Sequence, residues 1–164
     1  MSLSRCATFL LLAVFAQHLG ACSFQLQGAF TVPAEMERTY IETDDRYSLF
    51  FRAFRKELLA AGVNIVDTRD ESTARFTVYF DQTGQRVLSV SARNVPTEYE
   101  VFYTIQYGLM SGDTTLLDVQ DMTVTRDYTY DATLVLGKAK EEELMRDAIV
   151  QDLVRIVLKQ ISAQ

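Results

Sequence analysis

EYEVFYTIQYGL, Glu98 to Leu109, is the stretch on which the fold class turns. Tyr99, Val101, Tyr103, Ile105, Tyr107 and Leu109 fall on alternate positions, with Glu98, Glu100, Phe102, Thr104 and Gln106 between them. A period of two sends successive side chains to opposite sides of an extended backbone, so the run predicts a long strand with one apolar and one polar-leaning face. Downstream, Ser111-Gly112-Asp113 turns the chain. Leu117 and Val119 then give way to Met122, Val124, Tyr128 and Tyr130. That change from odd to even positions needs one extra residue, a bulge near Gln120 or Asp121. Upstream, Phe76, Val78 and Phe80 alternate, Asp81-Gln82-Thr83-Gly84 has turn composition, and Leu88, Val90 and Ala92 alternate again, which predicts a hairpin running up to Arg93.

Helical spacing flanks this β region. Thr39 to Glu42 (TYIE) reads as a strand, and Thr43-Asp44-Asp45 as a helix N-cap before Tyr47, Phe50, Phe51, Phe54, Leu58 and Leu59. Arg52, Arg55, Lys56 and Glu57 fall largely on the opposite side, Gly62 supplies a left-handed stop, and Val63 to Val66 follows as a strand. The chain ends in an amphipathic helix from about Lys138 to Ile161, with Met145, Ile149, Leu153, Ile156, Val157 and Ile161 on one face. Aromatic and aliphatic stripes of this kind are core, because a helix laid on a sheet must bury them. The expected architecture is α+β: a two-layer sandwich with two helices on one face of a mostly antiparallel, mixed sheet. The second sheet face is left to solvent or a partner.

Ahead of the body lies a leader. Arg5 supplies a positive start, Ala7 to Ala16 (ATFLLLAVFA) an apolar run, and Gly20-Ala21 a small-residue cleavage site. The run is too short to span a bilayer, which takes roughly 20 apolar residues. Leu19-Gly20-Ala21-Cys22 has the form of a bacterial lipobox, whose cysteine takes a diacylglycerol thioether and, after cleavage, an N-acyl chain. One acyl chain holds a protein only marginally and further chains make the anchor stable, so residues 1–21 are expected to be removed and Cys22 to be the lipid anchor. The resemblance to Gram-negative lipoproteins implies an outer-membrane location as well, since an aspartate after the cysteine commonly retains them in the inner membrane and here Ser23 stands in that place. Phe24, Leu26 and Phe30, broken by Gly28, then predict a short strand before a turn at Val32-Pro33.

Cleavage leaves residues 22–164, which is 164 − 21 = 143 residues and enough for one domain. It removes Arg5, taking the formal net charge from -6 to -7, an acidic balance opposite to the basic excess that drives nucleic-acid binding. It also removes Cys6 and His18, the only histidine. A mature chain with one cysteine and no histidine cannot form an internal disulfide, a Cys/His zinc site, or a nucleophile activated by imidazole. No catalytic residue, metal ligand or cofactor beyond the covalent lipid is expected. Glu141, Glu142 and Glu143 point in different directions on a helix and cannot converge on one ion.

The order of several motifs carries a family resemblance: a lipobox cysteine followed by Ser-Phe-Gln-Leu-Gln-Gly, a helix closing on Ala-Ala-Gly-Val, Arg93-Asn94 and then Glu98-Tyr99, Arg126-Asp127-Tyr128-Thr129-Tyr130-Asp131, and Leu-Gly-Lys before an acidic amphipathic helix. The chain resembles the LptE (RlpB) family of lipopolysaccharide-assembly lipoproteins over almost the whole of residues 22–164. In that family the cysteine is typically followed by Gly-Phe-x-Leu-Arg-Gly; here Ser23 replaces the glycine and Gln27 the arginine. The resemblance implies a non-enzymatic outer-membrane lipoprotein on the periplasmic side. It would plug the β-barrel LptD one to one, assist assembly of that barrel and contact lipopolysaccharide in transit. A generic envelope-binding lipoprotein, or a cell-wall hydrolase using paired carboxylates, are the alternatives.

Lipopolysaccharide carries phosphates, so candidate contacts are cations that the fold does not require. Lys138 and Lys140 stand at the start of the last helix, where the helix dipole favours acids. The Gly-Lys before that helix matches a basic position that the resemblance implicates in lipopolysaccharide contact. Arg93 sits at a hairpin end, where a guanidinium fork can take a phosphate or pair with Glu98 or Glu100. Arg126, between Thr125 and Asp127, is the fourth candidate, with pairing inside the sheet as its plainer role.

Overall fold

The computed structural model of the chain describes residues 30–129 and 135–164; of the strand expected through Phe24, Leu26 and Phe30 only Phe30 falls within them, and it is not in a strand. A 3-10 turn at Ala34–Met36 leads into β1 (Arg38–Glu42), α1 (Leu49–Ala60) and β2 (Asn64–Val66). Three long strands follow, β3 (Ala74–Val90), β4 (Pro96–Ser111) and β5 (Thr114–Thr129), and the chain closes on α2 (Val135–Ile161). The sheet order is β2-β1-β3-β4-β5. β1 runs parallel to both β2 and β3, while β3, β4 and β5 form an antiparallel meander. Both helices pack on one face, as the apolar stripes require.

The decisive stretch is β4. Val101, Tyr103, Ile105, Tyr107 and Leu109 are buried on the helix side. On the other side, Thr104 bonds Thr123 (2.9 Å) and Gln106 donates to Asp121 (2.9 Å) across the strands. From α1, Phe50 and Phe54 stack at 5.4 Å. Phe54 lies 4.3 Å from the Phe76 ring of β3, which lies 5.6 Å from Tyr107 of β4. From α2, two rows four residues apart, Ile149-Leu153-Val157-Ile161 and Val150-Val154-Leu158, close the core.

Several local expectations are corrected. No turn interrupts β3 at Asp81–Gly84; the strand continues with its register to β4 intact over those residues. The turn-like composition has other causes. Gly84 lies beneath the Phe102 ring, where an added Cβ would meet the ring at 2.8 Å, so glycine marks a close cross-strand approach rather than a bend. Asp81 accepts the Tyr103 hydroxyl (2.6 Å) and Thr83 donates to the Phe102 carbonyl (2.9 Å). A bulge between Val78 and Phe80 turns Asp81 and Thr83 to the inner side. On β5 the register slips between Leu117 and Gln120, at one edge of the expected position, and again towards Thr115.

The cap of α1 is Ser48, whose hydroxyl accepts from Phe51 N (3.0 Å), not Thr43–Asp45; Asp45 instead closes the preceding turn by accepting from Tyr47 N (2.7 Å). Tyr47 is accordingly 87% exposed and outside the stripe, and Leu59 and Ile156 also face outward. Gly62 has φ +86 and ends the helix as expected. α2 begins at Val135, three residues before Lys138.

Burial raises the Tyr103 hydroxyl well above its ordinary value, with the Asp81 bond adding to it, and burial pushes Tyr107 up to about 12. Deprotonation is therefore postponed in the folded state. Above pH of about 10 the unfolded chain loses protons that the folded chain keeps, so the stabilisation is complete below that value and falls as pH rises towards about 12. In an alkaline titration these two of the eight tyrosines are expected to ionise only as circular dichroism reports unfolding.

Candidate functional site

The β3–β4 connection positions Arg93. Ser91 N donates to Val95 O (2.8 Å) and Asn94 N to Ser91 O (2.9 Å), with Asn94 at φ +57. That is the pattern of a three-residue hairpin loop ending in a left-handed residue, a conformation asparagine tolerates better than most. The loop projects Arg93 into solvent. Neither acid that could pair with it does so. Glu98 accepts from Ser89 (2.8 Å), and Glu100 pairs with Arg86, whose guanidinium also lies 5.8 Å from the centre of the Phe102 ring. The Arg93 guanidinium makes no ion pair among the described residues.

Around this tip Val87, Leu88, Val90 and Val95 are each 45 to 53% exposed. Sequence reasoning missed this apolar collar, although its signal was present: Val87 and Leu88 are adjacent, which strict alternation forbids. The register slip between Val87 and Ser89 explains it.

Topology brings the start of α2 to the same end. The Arg126–Asp152 ion pair (2.6 Å) ties β5 to α2 and fixes a common height. At about 1.5 Å per helical residue, Lys138 lies about 21 Å further along. On the strand side, Arg126 pairs with Val101 and Thr129 with Glu98. Counting on to Arg93 at about 3.3 Å per residue gives about 26 Å. Two cationic positions thus share one end of the domain. Lys138 is placed by the backbone of α2; its side chain lies outside the described residues.

The other two candidates are engaged. Arg126 faces the helices rather than pairing within the sheet, and its partner Asp152 also takes Arg155 (3.2 Å). Lys140 is paired with Glu143 one turn along (2.7 Å), and that carboxylate raises its pKa. Glu142 turns instead to Arg146, so the glutamate run diverges. Among the described residues no three His, Cys, Asp or Glu side chains group to hold a metal, and no helix is long and apolar enough to cross a membrane.

Comparison with known proteins agrees with this architecture. In sequence, the chain is 30% identical over 146 residues to the LPS-assembly lipoprotein LptE of Pectobacterium atrosepticum, covering 84% of this chain and 77% of that one. It is 27% identical over 156 residues to the protein of the same name from Yersinia enterocolitica, covering 91% and 74%. In structure, it superposes on uncharacterized lipoprotein B from Nitrosomonas europaea with a TM-score of 0.70 at 25% identity, covering 86% of this chain and 91% of the other. For rare lipoprotein B from Shewanella oneidensis the TM-score is 0.66 at 21% identity, with 77% and 94% covered; that likeness concerns the fold. The family model LptE, lipopolysaccharide-assembly, matches residues 36–161, from the turn before β1 to the last residue of α2, and the chain belongs to that family.

Proposed function

We propose that residues 1–21 are removed, that Cys22 carries a diacylglycerol and an N-acyl chain, and that the domain is thereby held on the periplasmic side of the outer membrane. There it sits in the barrel LptD as a plug, assists assembly of that barrel, and contacts lipopolysaccharide at the hairpin end. Arg93 and Lys138 meet phosphates, while the exposed valines and Leu88 offer an apolar surface to acyl chains. Lys140 is a secondary contact that must first leave Glu143, and Arg126 serves chiefly to hold β5 on α2. The role is non-enzymatic.

The observation that carries this reading is an arginine on a built loop with no ion-pair partner among the described residues, ringed by exposed aliphatic side chains. A cation beside apolar surface matches an amphiphile with phosphates on its headgroup. The polar outer face, with its Thr104–Thr123 and Gln106–Asp121 pairs, suits a wet barrel lumen better than a dry interface. Titration of the purified protein with lipopolysaccharide tests the ligand: saturable binding supports the reading, and no binding removes it. For the anchor, Cys22→Ala is expected to leave the circular dichroism and melting of the domain unchanged while moving it from membrane to soluble fractions. Loss of folding in that variant would contradict the anchor role.

A further inference from the structure

Helix α1 carries charge that its fold does not use. It buries Phe50, Phe54 and Leu58 and exposes Arg52, Arg55 and Lys56. Arg55 and Lys56 follow Arg52 at three and four residues, the spacings at which like charges repel on a helix surface. Arg52 also stands near the N-terminal end of a helix whose first turn holds no acid, where the dipole disfavours a cation. None of these cations makes an ion pair among the described residues. Of the acids on this side, Glu57 lines the pocket that holds Phe30 and Asp147 stands across the groove between the helices; neither pairs with them.

That groove, about 220 Å³, has a floor of Leu49, Ala53 and Val150, and Arg52 and Lys56 form its α1 rim. Leu59, four residues after Arg55, and Leu144, seven before Gln151 of the groove, are exposed on the same side of the two helices. A cationic helix surface with aliphatic side chains among its charges has the composition of a contact with anionic lipid headgroups. The course of the chain points to the same occupant. The first described residue, Phe30, lies with Glu57, Gln151 and Arg155, so the described chain begins on the helical layer. Cys22 precedes it by eight residues, a reach of at most about 28 Å. If Cys22 carries the lipid, as proposed above, the helical layer is the side from which the membrane is reached by the shortest route. The chain as a whole is acidic, but at about 0.1 M salt charges are screened beyond about 10 Å, so a headgroup layer meets this surface and not the net charge.

We infer that the face of α1 bearing Arg52, Arg55 and Lys56 rests on anionic phospholipid headgroups while the anchored chain is outside a barrel. The contact fixes which side of the domain meets the membrane. It rests on the anchor reading for the leaflet it touches, and on the α1 cations alone for its chemistry.

The test uses residues 22–164 with Cys22→Ala, so that no acyl chain contributes, in co-sedimentation with vesicles of phosphatidylglycerol or of phosphatidylcholine at about 0.1 M salt. Binding to phosphatidylglycerol and not to phosphatidylcholine is expected. Arg52→Glu with Lys56→Glu should weaken it at least about tenfold, since each basic residue near an anionic surface is worth a factor of about five. The melting temperature of that variant should not fall, because the reversal removes like-charge pairs and sets an acid near the helix N-terminus. Arg38→Glu with Arg69→Glu reverses as many exposed cations, on β1 and in the loop before β3, and should leave binding unchanged. No binding to phosphatidylglycerol, equal binding to phosphatidylcholine, binding undiminished in the α1 variant, or equal losses in the two double variants would overturn the inference. The vesicles contain neither lipopolysaccharide nor a barrel. With Cys22 intact the α1 variant should still fractionate with membranes through its lipid, so failure of this contact and failure of the anchor are read separately.

Discussion

Phe76→Ala is expected to cost roughly 3 to 5 kcal/mol of folding stability and to lower the melting temperature by roughly 10 °C. Phe76 is fully buried, and its ring lies 4.3 Å from Phe54, 6.5 Å from Phe50 and 5.6 Å from Tyr107. It touches α1 and the central strand pair together. The cavity left behind is walled by rings fixed in two different layers, so it cannot collapse without moving a helix against a sheet. Single domains hold only about 5 to 15 kcal/mol in total, which makes this loss a large share. Tyr47→Ala, at a residue 87% exposed, is the contrast and is expected to change stability by no more than about 0.5 kcal/mol. Equal effects at the two positions in denaturant melts would contradict the assigned core.

The second large effect is expected at the hairpin end. Replacing Arg93 and Lys138 together with Asp should weaken lipopolysaccharide binding at least tenfold. Hydrogen bonds to charged groups contribute about 1.5 to 3 kcal/mol each, and about 1.4 kcal/mol corresponds to a factor of ten. Reversal adds repulsion to the loss. The fold should be indifferent: Arg93 makes no ion pair among the described residues, and an aspartate in the first turn of α2 accords with the helix dipole. Arg126→Ala is the control. It removes the tie to Asp152, an exposed pair contributing at most about 1 kcal/mol, and should leave binding intact. Titration calorimetry on the three proteins decides the matter. Unchanged binding by the double variant would remove both residues from the site.

The pattern of what was legible in the sequence follows from how local each determinant is. Alternation over Tyr99 to Leu109 survives in β4 because a strand between two others must bury one face throughout its length, and the paired i, i+4 rows of α2 are equally robust. The misread turn at Asp81–Gly84 failed for a non-local reason. Whether Gly84 bends the chain or admits the Phe102 ring depends on a strand 18 residues away that the local composition does not contain. The cap of α1 was placed three residues early because Asp45 and Ser48 are both competent caps. Only the tertiary position of the Phe50 backbone, whose N–H reaches the Tyr103 hydroxyl (3.2 Å), selects the later one.

At the candidate site, a basic residue beside Asn94 was visible, but its isolation was not. Arg86 takes Glu100 only because register places them opposite each other. In the same way, only the contact with Asp152 separates Arg126 from the other candidate cations. The exposed collar of Val87, Leu88, Val90 and Val95 depends on register slips near the hairpin tip, which single-strand periodicity hides.

The central claim, that this domain works as the lipid-anchored plug of a barrel, is tested most directly by purifying the tagged protein from native membranes in detergent and identifying what accompanies it. The account predicts one co-purifying outer-membrane β-barrel, LptD, in equal amount. It also predicts acyl chains on Cys22 in the intact mass of the small subunit. A protein that emerges alone, or with residues 1–21 still attached, would contradict it.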